Sequence, residues 1–146
     1  KSRLRAVKIL LGCSMAVLIA DVTAAHIIKP WVNRARPEYS EPHVRVLGQH
    51  HGSPSFVSNH AANSAAVATY LYIMVPAMRV IGPVLAFLIS YSRPYVGAHY
   101  PADVICGALW GIFCAWLVYR AFLMGAFFLG SRPIPPARRE KRPKRR

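Results

Sequence analysis

Acidic side chains are scarce in this chain: five Asp and Glu stand against 19 Lys and Arg, giving a formal net charge of +14. Cysteine is scarce too, and Cys13, Cys106 and Cys114 fit no metal-binding or redox spacing. Each lies in an apolar stretch and reads as a small buried apolar residue. A cysteine-built metal site or redox pair is therefore set aside. No Met opens the chain, so residues upstream of Lys1 are expected, and with them one or two further helices or a signal.

What is present sits in separate places. The chain has 146 residues, enough for one domain and not comfortably for two, and 54% of them are apolar. A soluble domain rarely combines such apolarity with such charge. Lys1, Arg3, Arg5 and Lys8 lie at the start, and eight basic residues lie between Arg132 and Arg146. Long apolar stretches run between those ends. This is the pattern of a membrane protein with basic flanks rather than of a nucleic-acid binder.

The apolar stretches predict an all-α integral-membrane helical bundle with four spans, at 9–28, 59–78, 80–91 and 104–129. The second opens with small residues that allow close helix packing. Residues 30–56 are polar and rich in Pro and Gly, a loop with room for a short interfacial segment. Arg79 and Gly82-Pro83 read as a tight turn. Residues 1–130 form the membrane core on this reading. Residues 131–146 form a basic Pro/Arg tail that cannot bury apolar area and is expected to be disordered.

Four spans place both termini on one side, and the positive-inside rule puts that side in the cytoplasm. Lys29, Arg34, Arg36, Arg45 and Arg93 then face outside, against the rule. Cations on the wrong side of a membrane need another purpose, and anion binding supplies one.

Three segments meet at that outer face. The first runs from Lys29 to Arg36-Pro37, the second is Ser58-Asn59-His60, and the third runs from Ser92-Arg93 to His99 and Asp103. Hydrolysis of a phosphate ester without a metal needs cations on the non-bridging oxygens, a nucleophile and an acid for the leaving oxygen. Lys29, Arg36 and Arg93 supply the cations. A helix beginning near Pro101 lets Asp103 reach a ring nitrogen of His99, fixing the tautomer and leaving the other nitrogen free to attack.

Lys-x6-Arg-Pro, Ser-x-His and Ser-Arg-x5-His-x3-Asp, in this order over residues 29–103, resemble the type 2 phosphatidic acid phosphatases, or lipid phosphate phosphatases. The resemblance implies that His99 is the nucleophile that forms a phosphohistidine. It implies that Asp103 orients His99 and that His60 is the general acid. Lys29, Arg36, Ser58, Asn59 and Arg93 would bind the phosphoryl oxygens, and no metal or other cofactor is implied. The second motif usually reads Pro-Ser-Gly-His in that family, and here it reads Val57-Ser58-Asn59-His60. Asn tolerates a left-handed backbone better than other non-Gly residues, so Asn59 is expected to preserve a turn.

Blander readings stand beside these. The cations alone would also anchor to lipid headgroups, but anchoring leaves His60, His99 and Asp103 at fixed offsets without a reason. Headgroup contact is the favoured reading for Arg34 and Arg45, with a second phosphate or a sugar as the alternative. His26 reads as structural, and His43, His50 and His51 as loop residues without a compelling third metal ligand. Asp21, an ionisable residue inside a span, either supports the site from behind or pairs with a polar group on another helix. Trp31, Tyr39, Tyr95 and Tyr100 fit an interfacial aromatic belt.

The expected protein is thus a multi-pass enzyme of a bacterial inner membrane, its site facing the periplasm. Its partners would be the bilayer and a lipid phosphate: a polyprenyl diphosphate, phosphatidylglycerophosphate or phosphatidic acid, or the 1-phosphate of lipid A. Two rivals remain. One is a phosphotransferase that passes the phosphoryl group to a lipid or sugar hydroxyl. The other is a non-enzymatic module that binds anionic lipid.

Overall fold

The computed structural model describes residues 2–47 and 52–130 of the protein. His50, His51 and the basic tail lie outside the described residues. Helix α1 covers Ser2–Thr23 and passes through a π-helical turn, Ala24–Ile28, into the short helix α2, Lys29–Val32. A second short helix, α3, is Pro37–Ser40. Helices α4 (Asn59–Met74), α5 (Met78–Tyr95) and α6 (Pro101–Gly130) complete an all-α bundle, with no strand among the described residues.

Helix α4 is the central post, and α1, α5 and α6 all pack on it. Its run of small residues explains this. Ala62 and Ala66 are fully buried against Ala16, Ala20 and Ala115. Two glycines on α6 let the backbones come closer still. A Cβ at Gly111 would collide with the Ala62 carbonyl, and one at Gly107 would lie 2.6 Å from the Ser58 carbonyl. Without a hydrophobic force between helices in lipid, such close packing is what holds a bundle together. The Tyr70 ring fills the space beside Gly12 and is the largest side chain enclosed by the core.

The outward faces are apolar: Leu10, Leu18, Val80, Phe87, Ile105 and Leu109 are each more than half exposed. By length and apolarity, two stretches of helix are able to cross a membrane, one within 3–40 and one within 101–125. Helices α4 and α5, with 16 and 18 residues, are not among them.

The expected turn at 79–83 is also corrected. The chain reverses earlier, at Val75–Ala77, where Met78 N–H donates to the Val75 carbonyl at 2.9 Å. Arg79, Gly82 and Pro83 already belong to α5. Gly82 faces α4, where a Cβ on it would meet Ala68 Cα at 3.5 Å, an ordinary packing distance. Helix α5 runs past Tyr91, the least extent expected for it, through Pro94 to Tyr95.

Alternating helix directions gather chemistry at one end. Arg5 donates to the Met74 carbonyl, which sets the start of α1 beside the end of α4. Trp110 Nε1 donates to Thr23 Oγ1, which joins α6 to the end of α1. The end of α1, the start of α4, the end of α5 and the start of α6 therefore share one pole.

Candidate active site

Helix α6 starts at Pro101, so Asp103 lies in its first turn, one helical turn after His99. His99 Nδ1 and Asp103 Oδ2 are 3.6 Å apart, an ion-pair separation longer than a hydrogen bond. Such contacts are often loose before substrate arrives. Asp103 is fully buried and held in place on its other flanks. Its Oδ2 accepts from the Tyr100 N–H at 3.0 Å, and its Oδ1 accepts from Arg34 Nη1 at 2.9 Å. The Asp103 carbonyl accepts from the Ser58 N–H at 3.0 Å, which pins the start of α6 to the start of α4.

On the far side of the His99 ring, Nε2 lies 3.3 Å from Arg36 Nη1. A guanidinium has no lone pair to offer, so Nε2 is the acceptor and the neutral ring carries its proton on Nδ1, facing Asp103. Burial pushes the His99 imidazole below its ordinary value, and the charges of Arg36 and Lys29 push the same way while Asp103 opposes them. His99 is therefore a neutral base with its free lone pair turned toward a cation.

That cation is firmly placed. Arg36 is buried, and it donates to the Ser53 carbonyl at 2.7 Å, to Ser53 Oγ at 3.1 Å and to the Ala98 carbonyl at 2.9 Å. Lys29 is buried too, and donates to the Pro54 carbonyl at 2.8 Å. The 52–58 segment thus holds both cations by its backbone oxygens. Gly97 lets the chain at Val44 and Arg45 pass close to the turn that precedes His99. Its φ is +77°, and a Cβ there would lie 2.8 Å from the Arg45 carbonyl.

A cavity of about 310 Å³ opens among these groups, with Lys29, Arg36, Asn59, His60, Arg93 and His99 in its wall. Six of the eight site residues expected from the sequence are thus brought together. Asp103 and Ser58 stand behind the wall. Ser58 is fully buried, and its Oγ has no hydrogen-bond partner among the described residues.

Asn59 is a correction in one respect. It opens α4 with ordinary helical backbone, and Asn33 is the one non-Gly residue with positive φ among those described. The Asn59 side chain instead ties two helices together, since Asn59 Nδ2 and Asn63 Nδ2 donate to Asp21 Oδ1 at 2.9 and 2.8 Å. Asp21 thereby clasps α1 to the first two turns of α4. Asp21 and Lys29 are eight residues apart, a rotation of about 80° in a regular helix. The π-helical turn between them, closed by Lys29 N–H to the Ala24 carbonyl, absorbs one residue and brings them to within about 20° of one face.

Sequence reasoning missed the place of Arg34. It is the ion-pair partner of Asp103, with its guanidinium 3.9 Å above the Tyr100 ring.

A helical membrane bundle with a His–Asp pair facing a cation-lined cavity defines the class. The chain belongs to the PAP2 superfamily, whose sequence model matches residues 9–125. It is 32% identical over 130 residues to the lipid A 4'-phosphatase of Bacteroides thetaiotaomicron, an alignment covering 84% of this chain and 58% of that protein. It is 33% identical to phosphatidylglycerophosphatase B of Bacillus subtilis, covering 63% of this chain and 48% of that protein. Among solved structures, Aquifex aeolicus LpxE matches with a TM-score of 0.69 at 29% identity, over 77% of this chain and 68% of that one. The transmembrane PAP2-type phosphatidylglycerolphosphate phosphatase of Bacillus subtilis matches at 0.59 and 26%, over 88% of this chain and 61% of that one. The chain spans roughly half the length of the curated relatives it matches.

Proposed function

We propose that this chain is the catalytic part of an inner-membrane lipid phosphatase that works through a phosphohistidine. The observation that carries the reading is His99 itself: a buried neutral imidazole with one nitrogen toward Asp103 and the other toward Arg36 in a cation-lined cavity. A phosphoryl group entering the cavity takes hydrogen bonds from Arg36, Lys29 and Arg93, which frees the Nε2 lone pair. Nε2 then attacks phosphorus and the bond to the leaving oxygen breaks. His60, at the cavity wall on the first turn of α4, gives that oxygen a proton. Water attacks the phosphohistidine in the second step, releasing inorganic phosphate and restoring His99. Cations preset around developing charge supply most of the rate.

The lipid part of the substrate is supported by a second feature. Asn59 and His60 also line an apolar groove of about 570 Å³ between α1, α4 and α5, which descends past Val67 and Leu71 to Met78. A hydrocarbon chain in that groove delivers its phosphate to the cavity. The relatives act on lipid phosphates by name: lipid A 4'- and 1-phosphatases, phosphatidylglycerophosphatase B and an undecaprenyl-diphosphatase. The basic ends of the chain favour the cytoplasm for the opposite pole, which leaves the site on the periplasmic side.

The test is phosphate release by the purified protein in detergent with EDTA, over a panel of lipid phosphates, with His99→Ala beside it. Release that survives EDTA and falls at least about a hundredfold in the variant is expected. Near-normal turnover by His99→Ala sinks the mechanism.

A further inference from the structure

Asp103 meets three partners, and the mechanism uses only His99. Oδ2 faces His99 and the Tyr100 N–H, while Oδ1 is taken by Arg34. Arg34 is itself braced. Its guanidinium lies on the Tyr100 ring at 3.9 Å, and the Tyr100 hydroxyl is 2.7 Å from Ser40 Oγ. Its backbone carbonyl accepts from the Ser55 N–H at 2.9 Å. The Arg34 side chain is 38% exposed, whereas that of Asp103 is fully enclosed. Arg34 does not line the cavity around His99. It reaches the nucleophile only through the carboxylate.

We propose that Arg34 is a positioning residue of the His99–Asp103 pair, which fixes the carboxylate and offsets its charge so that His99 stays neutral and able to attack. The proposal rests on His99 as nucleophile. An unpaired buried carboxylate next to an imidazole favours the imidazolium, which has no lone pair on Nε2. Without Arg34 the carboxylate also loses the contact that holds Oδ1, leaving the Tyr100 N–H on Oδ2 to resist its rotation. Arg34 acts against both. The other charged and titratable groups around His99 are Lys29 and Arg36 on the 29–36 stretch, His60 on α4, Arg93 on α5 and Asp103 on α6. Lys29 and Arg36 already disfavour the imidazolium. Arg34 adds to them from behind the carboxylate, and solvent at its exposed side limits the effect.

Two measurements on the full chain in detergent test this. The first is the 15N-histidine NMR titration of His99 in substrate-free protein. The second is the pH profile of kcat/KM, whose acid limb reports the free enzyme's nucleophile. In Arg34→Gln both midpoints should move up by roughly half a unit to one unit. Arg34→Lys, which keeps the charge and loses the stacked fork, should restore most of that shift. A rate loss in Arg34→Gln with unmoved midpoints overturns the proposal, since a merely structural role lowers activity without moving them. A wild type that releases no phosphate from any lipid, or whose rate ignores His99→Ala, removes the phosphatase reading and this proposal with it. A wild type that turns over normally beside an unshifted Arg34→Gln removes this proposal alone.

Discussion

Two carboxylates sit near the same pole of the bundle and are treated in opposite ways. Asp103 is fully enclosed and carries a cation on one oxygen, with a histidine and a backbone N–H facing the other. Asp21 is half-buried and accepts from two neutral amides on one oxygen. The first arrangement changes what a neighbouring base does, because its partners are themselves charged or titratable. The second sets where helices sit, because its hydrogen-bond partners are amides with no protonation state to tune. A buried acid in a membrane helix raises a functional question in either case, and the identity of its partners separates the answers.

The largest expected effect lies on the Asp103 side. Asp103→Asn keeps the shape of the side chain and removes the charge that orients His99 and stabilises its positive form during transfer. A fall in kcat of about a hundredfold to a thousandfold is expected, with a much smaller change in KM, because the proposed mechanism gives ground-state phosphate binding to Lys29, Arg36 and Arg93. Removing Asp103 also removes the influence that raises the His99 pKa against burial and the two cations. The residual activity should therefore keep its acid limb at lower pH than the wild type. An upward move of that limb would break the contrast, since Asp103 would then not be acting on His99.

Much of this pole is legible in the sequence, and the reasons are local. His99 and Asp103 are one helical turn apart, so a helix starting at Pro101 suffices to bring them together. Lys29, Arg36 and Arg93 stand out because they are basic residues flanking apolar stretches away from the basic ends of the chain. The segment start at Asn59 follows from the small-residue run after it. What is not legible depends on contacts between segments far apart in sequence. Arg34 meets Asp103 across 69 residues, and Asp21 meets Asn59 across 38. No spacing rule encodes either. Gly82-Pro83 misled in another way: in water-soluble loops that pair marks a turn, whereas here both residues lie within α5. The π-helical turn has no composition of its own, and only the shared face of Asp21 and Lys29 gives it a purpose.

On the other side of the comparison, Asp21→Leu should act on folding before chemistry. It strands the amide N–H groups of Asn59 and Asn63, whose Oδ1 atoms already lack partners among the described residues. Each stranded donor costs about 1 kcal/mol or more. A lower thermal midpoint in detergent is expected, with a loss of rate of roughly tenfold as the start of α4 loosens and His60 drifts. If the midpoint is unchanged and the rate collapses as far as in Asp103→Asn, Asp21 belongs to the chemistry and the two carboxylates are not different in kind.

Asp21→Asn is the gentler and more discriminating variant. The new amide keeps an oxygen at the Oδ1 position, so Asn59 and Asn63 still have an acceptor. What goes is the charge, and with it the extra strength of charge-assisted bonds, about 1 kcal/mol in all. Asp21 does not act on the His99 charge balance, which burial, Asp103, Arg36 and Lys29 set between them. The acid limb of the rate should consequently stay at the wild-type pH, and kcat should fall by less than about fivefold. Movement of the limb in Asp21→Asn would show that the α1–α4 clasp carries charge to the nucleophile through Lys29. The π-helical turn would then be an electrostatic link rather than a geometric one, and the separation between the acid that tunes and the acid that holds would disappear.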